Sequence, residues 1–162
     1  MTRDTNLREM LHRAAKWFPN HEAVVDDLYR YTYAELKDQV QRMAKLLHTR
    51  GVRKGDRVAL LMYPSVQHVV ALFGAFELGA IPCALHLRES PKILAAVLER
   101  LSPRVLVYDG ALEDLAAELR RAVPQVSFGV RAVSELTPPD KREGGDDPVI
   151  PRDLDRFEMD FE

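Results

Sequence analysis

Residues 57–85 confine the chain to a narrow set of folds. Val58, Ala59, Leu60, Leu61 and Met62 follow one another without a polar interruption. A strand with one wet face alternates apolar and polar residues. A short continuous run reads instead as a strand covered on both faces, as in a parallel sheet, although a buried helical segment shares the pattern. Pro64 and Ser65 end the run, and Ser65 is placed to cap the next element. Over residues 66–78, Val66, Val69, Val70, Leu72, Phe73, Phe76 and Leu78 point all round a helix. Such a helix has no solvated face and must pack between layers. Gly79 stops it, and residues 80–85 form a short apolar returning strand. The three pieces make a βαβ unit, whose crossover is expected to be right-handed.

The flanking chain repeats this rhythm. Leu7, Met10, Leu11, Ala14, Ala15 and Phe18 stand at helical spacing behind the cap Asn6, with Trp17 and Phe18 read as core or staple residues before Pro19 and Asn20. Residues 23–26 and 29–32 predict a small hairpin around Asp27 and Leu28. Thr32-Tyr33-Ala34-Glu35 is a capping-box signature. It opens a helix with Tyr33, Leu36, Val40, Met43, Ala44 and Leu47 on one stripe, closed by Gly51. Ser90 and Pro91 start another helix, with Ile93, Leu94, Val97, Leu98 and Leu101 expected to face inward. A strand follows over 104–108, then a helix over 111–122 with Leu112, Leu115, Ala116 and Leu119 inward, then a strand over 125–130. Strands starting near 57, 81, 104 and 127 are spaced by 24, 23 and 23 residues, the spacing of repeated βα units. The fold class is α/β, a mainly parallel sheet with helices on both faces.

Residues 1–136 are therefore assigned to one α/β unit with a small N-terminal hairpin. Residues 137–162 differ in character, with four prolines, the pair Gly144–Gly145, and nine acidic residues against four basic ones. That composition reads as an acidic Pro/Gly-rich linker leading to a further, downstream part.

Composition removes several function classes. At 162 residues and a formal net charge of −2, nothing points to nucleic acid or an anionic membrane as partner. A single cysteine, Cys83, rules out a disulfide framework and a cysteine-rich metal site, and its apolar setting next to Pro82 reads as a buried, inert thiol. The N-terminus lacks a signal-peptide apolar core and no run reaches the ~18 residues of a membrane span, so a cytoplasmic location is expected.

In an open α/β sheet, ligands bind beyond the carboxyl ends of the strands. Those ends are Tyr63-Pro64-Ser65, Leu85-His86-Leu87-Arg88 and Asp109-Gly110. His86 and Arg88 alternate out of a strand end and are the candidate anion contacts. The competing reading pairs Arg88 with Glu89 or Glu99 and leaves His86 at an edge. Ser65 and His68 lie three apart without an acidic orienter, which suits a cap better than a nucleophile pair. Asp109-Gly110 has the residues of a ribose or metal contact, but a turn and helix cap is the simpler reading. Gly51-Val52-Arg53-Lys54-Gly55-Asp56 precedes a strand instead of joining strand to helix, so it is a helix stop and turn and no phosphate loop. The five histidines show no metal-ligand spacing. Residue by residue, no catalytic constellation, cofactor site or metal site emerges.

The ordered blocks go further. Tyr31-Thr32-Tyr33-Ala34-Glu35-Leu36, then Gly51-Val52-Arg53-Lys54-Gly55-Asp56-Arg57-Val58-Ala59, then Gly79-Ala80-Ile81-Pro82, Leu85–Arg88 and Val105-Leu106-Val107-Tyr108-Asp109 form a series. This series resembles the N-terminal part of the acyl-adenylate-forming enzymes, the superfamily of AMP-dependent synthetases and ligases. The Leu85–Arg88 stretch is most similar to fatty acyl-CoA synthetases. The resemblance spans residues 6–131. It implies the N-terminal subdomain of the large domain of such an enzyme. Its chemistry joins a carboxylic acid, fatty or other, to AMP from ATP with Mg2+, then passes the acyl group to coenzyme A. The phosphate-binding loop, metal, ribose contact and catalytic lysine of that family would all fall beyond Glu162. The resemblance therefore assigns no catalytic, cofactor-binding or metal-binding residue within this chain, and the chain by itself is expected to be inactive. Self-association through apolar surface is expected too. The alternative expectation is a free-standing, non-catalytic α/β module for interaction or small-ligand binding.

Overall fold

The computed structural model describes residues 6–126 and 128–132, and the expected 137–162 segment lies outside them. Four parallel strands form the central sheet: β3 (Arg57–Leu61), β4 (Ile81–Ala84), β5 (Val105–Asp109) and β6 (Phe128–Ala132), in the order β4-β3-β5-β6. An antiparallel pair, β1 (Glu22–Val25) and β2 (Arg30–Thr32), precedes it. Five helices accompany them among the described residues: α1 (Leu7–Trp17), α2 (Tyr33–Thr49), α3 (Val66–Glu77), α4 (Pro91–Leu101) and α5 (Glu113–Ala122).

The continuous apolar runs are explained by two cores. Val58, Leu60, Met62, Val105 and Val107 face a core built with α1, α2 and α3. Ala59, Leu61, Leu106 and Tyr108 face the opposite one, built with Leu94 and Leu98 of α4 and with Ala116 and Leu119 of α5. The pleat sends alternate residues to opposite faces, and both faces are dry, so no polar residue interrupts the run. Helix α3 has no fully exposed residue, as its all-round apolar pattern requires. Gly74 lets it approach α2: a Cβ there would lie 2.5 Å from Met43 Cγ.

Local signals act as the sequence indicates. The Asn6 side chain accepts from Glu9 N at 2.9 Å. Thr32 and Glu35 close a reciprocal capping box, with Thr32 N donating to Glu35 Oε2 at 2.8 Å and Glu35 N to Thr32 Oγ1 at 3.3 Å. Ser65 and Ser90 cap α3 and α4.

Five expectations are corrected. Trp17 and Phe18 are 69% and 53% exposed, because α1 buries only the stripe around Leu11 and Ala15. Ile93 and Val97 are exposed, because α4 turns only Leu94 and Leu98 fully onto the sheet. Cys83 is half-buried, because β4 is an edge strand with its neighbours on one side only. The helix after β5 begins as a 3-10 turn, Gly110–Leu112, and α5 proper starts at Glu113. The last strand sits at Phe128–Ala132, three residues late at its start.

The edge at β4 is blunted. Ile81 N donates to Asp56 O at 2.8 Å and Leu85 N to Leu60 O at 2.9 Å, so the odd-numbered amides face β3. By the two-residue period, Pro82 falls on the outer edge, where it offers no N–H to a further strand.

Candidate functional site

The strand order places the topological switch point between β3 and β5. The chain leaves β3 through α3 toward β4 on one side, then returns through α4 to β5 on the other. A crevice beyond the carboxyl ends of two such strands is where open α/β sheets take ligands. Here those ends are Tyr63-Pro64-Ser65 after β3 and Asp109-Gly110 after β5.

Two carboxylates grip the Tyr63–Val66 turn. Asp109 Oδ2 accepts from Tyr63 N at 2.7 Å. Asp109 thus acts neither as a helix cap nor as a free ligand: it gives the following 3-10 turn no side-chain hydrogen bond. Burial pushes its carboxyl above the ordinary range, against the Tyr63 amide and the charge of His68, which pull it down. Asp26, in the β1–β2 turn, accepts from Val66 N at 2.8 Å through Oδ2, and from Leu28 N at 2.9 Å and Tyr29 N at 2.7 Å through Oδ1. Burial by itself would raise the Asp26 carboxyl, but the three amides outweigh it and hold it below the ordinary value. The amino end of α3 therefore already carries an anion, the chain's own Asp26. Sequence reasoning passed over Asp26. The Asp-x-x-Tyr spacing across a two-residue turn signals the local half of its bonding, but Val66 is 40 residues away.

Around this turn Leu28, Tyr63 and Val25 are exposed to 60%, 50% and 47%. His86 and Arg88 follow β4 and are both exposed. His86 Nδ1 lies 3.7 Å from Glu89 Oε1, whereas Arg88 makes no ion pair among the described residues. The expected competition for Arg88 by Glu89 thus falls on His86.

A nucleotide needs a phosphate cradle of free backbone amides. The Gly51–Asp56 turn does not supply one. Gly51 N donates to His48 O, Val52 N to Leu47 O, Arg53 N to Asp56 Oδ2, Gly55 N to Gly79 O, and Asp56 N to Arg53 O. Only the Lys54 amide is left over. Val66 N and His68 N at the start of α3 are likewise spent, on Asp26 and Ser65. Among the described residues no group of three His, Cys, Asp or Glu side chains is placed to hold a metal ion. These residues do not fit ATP and Mg2+ as a self-contained site. No described helix is long and apolar enough to cross a membrane.

Comparison with known proteins gives this layer a context. The family model described as "AMP-binding enzyme" matches residues 11–155. A long-chain-fatty-acid–CoA ligase of Thermus thermophilus is 34% identical over 134 residues, which cover 80% of this chain and 25% of that one. A 3-hydroxybenzoate–CoA ligase of an Aromatoleum species is 31% identical over 105 residues, 65% of this chain and 20% of that one. The inhibitor-bound N-terminal domain of FACL13 from Mycobacterium tuberculosis superposes with a TM-score of 0.73 at 27% identity, covering 83% of this chain and 33% of that one. The chain spans about a quarter or less of the length of the curated relatives it matches. Its parallel four-stranded layer is the N-terminal layer found in adenylate-forming enzymes. The chain belongs to the AMP-binding enzyme family.

Proposed function

We propose that this chain is the N-terminal α/β layer of an ATP-dependent acid–thiol ligase, an acyl-CoA synthetase, and that it is inactive without the remaining layers. The observation that carries this reading is the family match over residues 11–155 together with the quarter-length coverage of the relatives. In the parent, ATP with Mg2+ and a carboxylic acid would give an acyl-adenylate, and coenzyme A would take up the acyl group. The acid is assigned to the fatty class, on the Leu85–Arg88 stretch and the Thermus relative, and the location to the cytoplasm. Residues 1–136 would be the α/β unit and 137–162 the connection onward. His86 and Arg88, at the carboxyl end of β4, are the residues this layer would offer to an anionic group. The exposed apolar side chains around Tyr63 and on α1 are expected to drive weak self-association of the isolated chain.

This layer's own part would be positional. Asp109 and Asp26 hold the Tyr63–Val66 turn from two sides, so that whatever packs on the carboxyl ends of β3 and β5 meets a turn of defined shape. The test is calorimetric titration with ATP·Mg2+, alongside an assay for acid-dependent exchange of pyrophosphate into ATP. Neither saturable binding nor exchange is expected. A micromolar nucleotide site, or exchange by the chain by itself, would overturn the reading.

A further inference from the structure

The amino-terminal end of the sheet carries an unusual concentration of cations. Arg50, Arg53, Lys54 and Arg57 line the turn into β3, and Arg100 and Arg104 flank the turn into β5. These two turns are brought together in space. Arg57 Nε and Nη2 donate to Leu101 O and Ser102 O at 2.8 and 3.0 Å. The Arg104 guanidinium lies 3.0 Å from where a Gly51 Cβ would stand.

Part of this charge has a structural use. Helices α2, α3 and α4 all end here, each presenting about half a negative charge on its last carbonyls. Arg53 Nη1 donates to His48 O and Val52 O, and Arg57 covers the end of α4. Arg50, Lys54, Arg100 and Arg104 remain, all exposed and with no side-chain hydrogen bond or ion pair among the described residues. The acidic groups nearest in sequence are Asp56, engaged by the Arg53 amide, and Glu99. Glu77, at the end of α3, is buried against His12 at 2.9 Å. The positive field is felt by His48 on the same rim, whose imidazole is held below its ordinary value by burial and by Arg53.

We propose that this face, centred on Arg50, Lys54, Arg100 and Arg104, docks an acidic polypeptide surface. Three unspent guanidinium forks suit carboxylates, which they grip in two-point fashion. Residues 50–57 and 100–104 contain no aromatic residue on which a base would stack, and no exposed large apolar residue to enter a bilayer. A protein surface with a local acidic patch is the anion that matches.

The experiment is a fluorescence-anisotropy titration of labelled poly-L-glutamate with the 162-residue chain at low and at physiological salt, with amide-shift mapping of the unmodified chain. Saturable binding that weakens with salt is expected, with shifts confined to residues 50–57 and 100–104. The Arg50→Gln/Arg104→Gln pair should weaken it about five-fold, while Arg13→Gln/Lys92→Gln leaves it unchanged. No saturable binding at low salt would overturn the proposal, as would shifts elsewhere or equal loss in both pairs. Tighter binding of a single-stranded oligonucleotide or of phosphatidylserine vesicles through the same residues would overturn the choice of partner. Shift mapping needs no variant, so a failure of either pair to fold leaves the test intact.

Discussion

Asp26 and Asp109 hold the same turn and respond to pH in opposite senses. Asp26 is held below the ordinary carboxylate value, so its contribution to stability is present above the unfolded value of about 4 and is lost as pH falls through the folded value. Asp109 is pushed above it, so the folded state binds that proton more tightly. Its contribution is present below about pH 4 and declines as pH rises through the folded value. Urea midpoints of Asp26→Asn, measured from pH 3 to 7, should therefore fall less than the parent's at the acid end. Midpoints of Asp109→Asn, whose amide oxygen still accepts from Tyr63 N, should gain on the parent as pH rises above about 4. A constant offset at all pH values in either variant would refute the corresponding assignment. Gly74 sets a second residue-scale limit. An alanine Cβ would sit 2.5 Å from Met43 Cγ and 2.9 Å from Met43 Cβ, the latter anchored to the α2 backbone. Gly74→Ala should cost about 1–3 kcal/mol by chemical denaturation, even though alanine is the better helix former. An unchanged or raised midpoint would show that α2 and α3 can separate cheaply.

At the scale of elements, β4 decides how the sheet ends. Its outer edge pairs with no strand among the described residues, and Pro82 removes one of the amides a further strand would need. Replacing it by threonine restores an N–H and raises strand propensity. Pro82→Thr should increase self-association in sedimentation velocity, with little effect on the monomer's secondary structure. No change in the sedimentation profile would show that association runs through the faces, for instance Trp17 and Met10 on α1, and not through the edge. The GVRKGDR block is the other element whose role becomes plain. It is among the blocks that carry the family resemblance, yet it lies at the end of the sheet opposite the switch point. Its glycines take positive φ at Gly51 and Gly55, and its arginines close the carboxyl ends of α2 and α4.

For the whole molecule, parallel strands with helical returns send the amino ends of α2 to α5 to one pole and their carboxyl ends to the other. The charges follow the helix dipoles: Asp26, Glu35, Glu113 and Asp114 at the first pole, Arg50, Arg53, Arg57 and Arg100 at the second. Much of this was legible locally. The runs Val58–Met62 and Val105–Val107, the caps Asn6, Thr32, Ser65 and Ser90, and the 23-residue spacing determined the elements, their order and the α/β class. Each depends on residues a few positions apart, or on whether a face is wet or dry. The family, too, was readable from ordered blocks that local turns and caps keep together. Which stripe of an apolar helix is buried was decided only by tertiary structure, because Ile93 and Val97 satisfy the same period as Leu94 and Leu98 but lie beyond the sheet's reach. The half-buried state of Cys83 likewise depends on β4 falling at an edge. The clamp on Tyr63–Val66 joins positions 40 and 46 residues apart, and no periodicity records a hydrogen bond of that span.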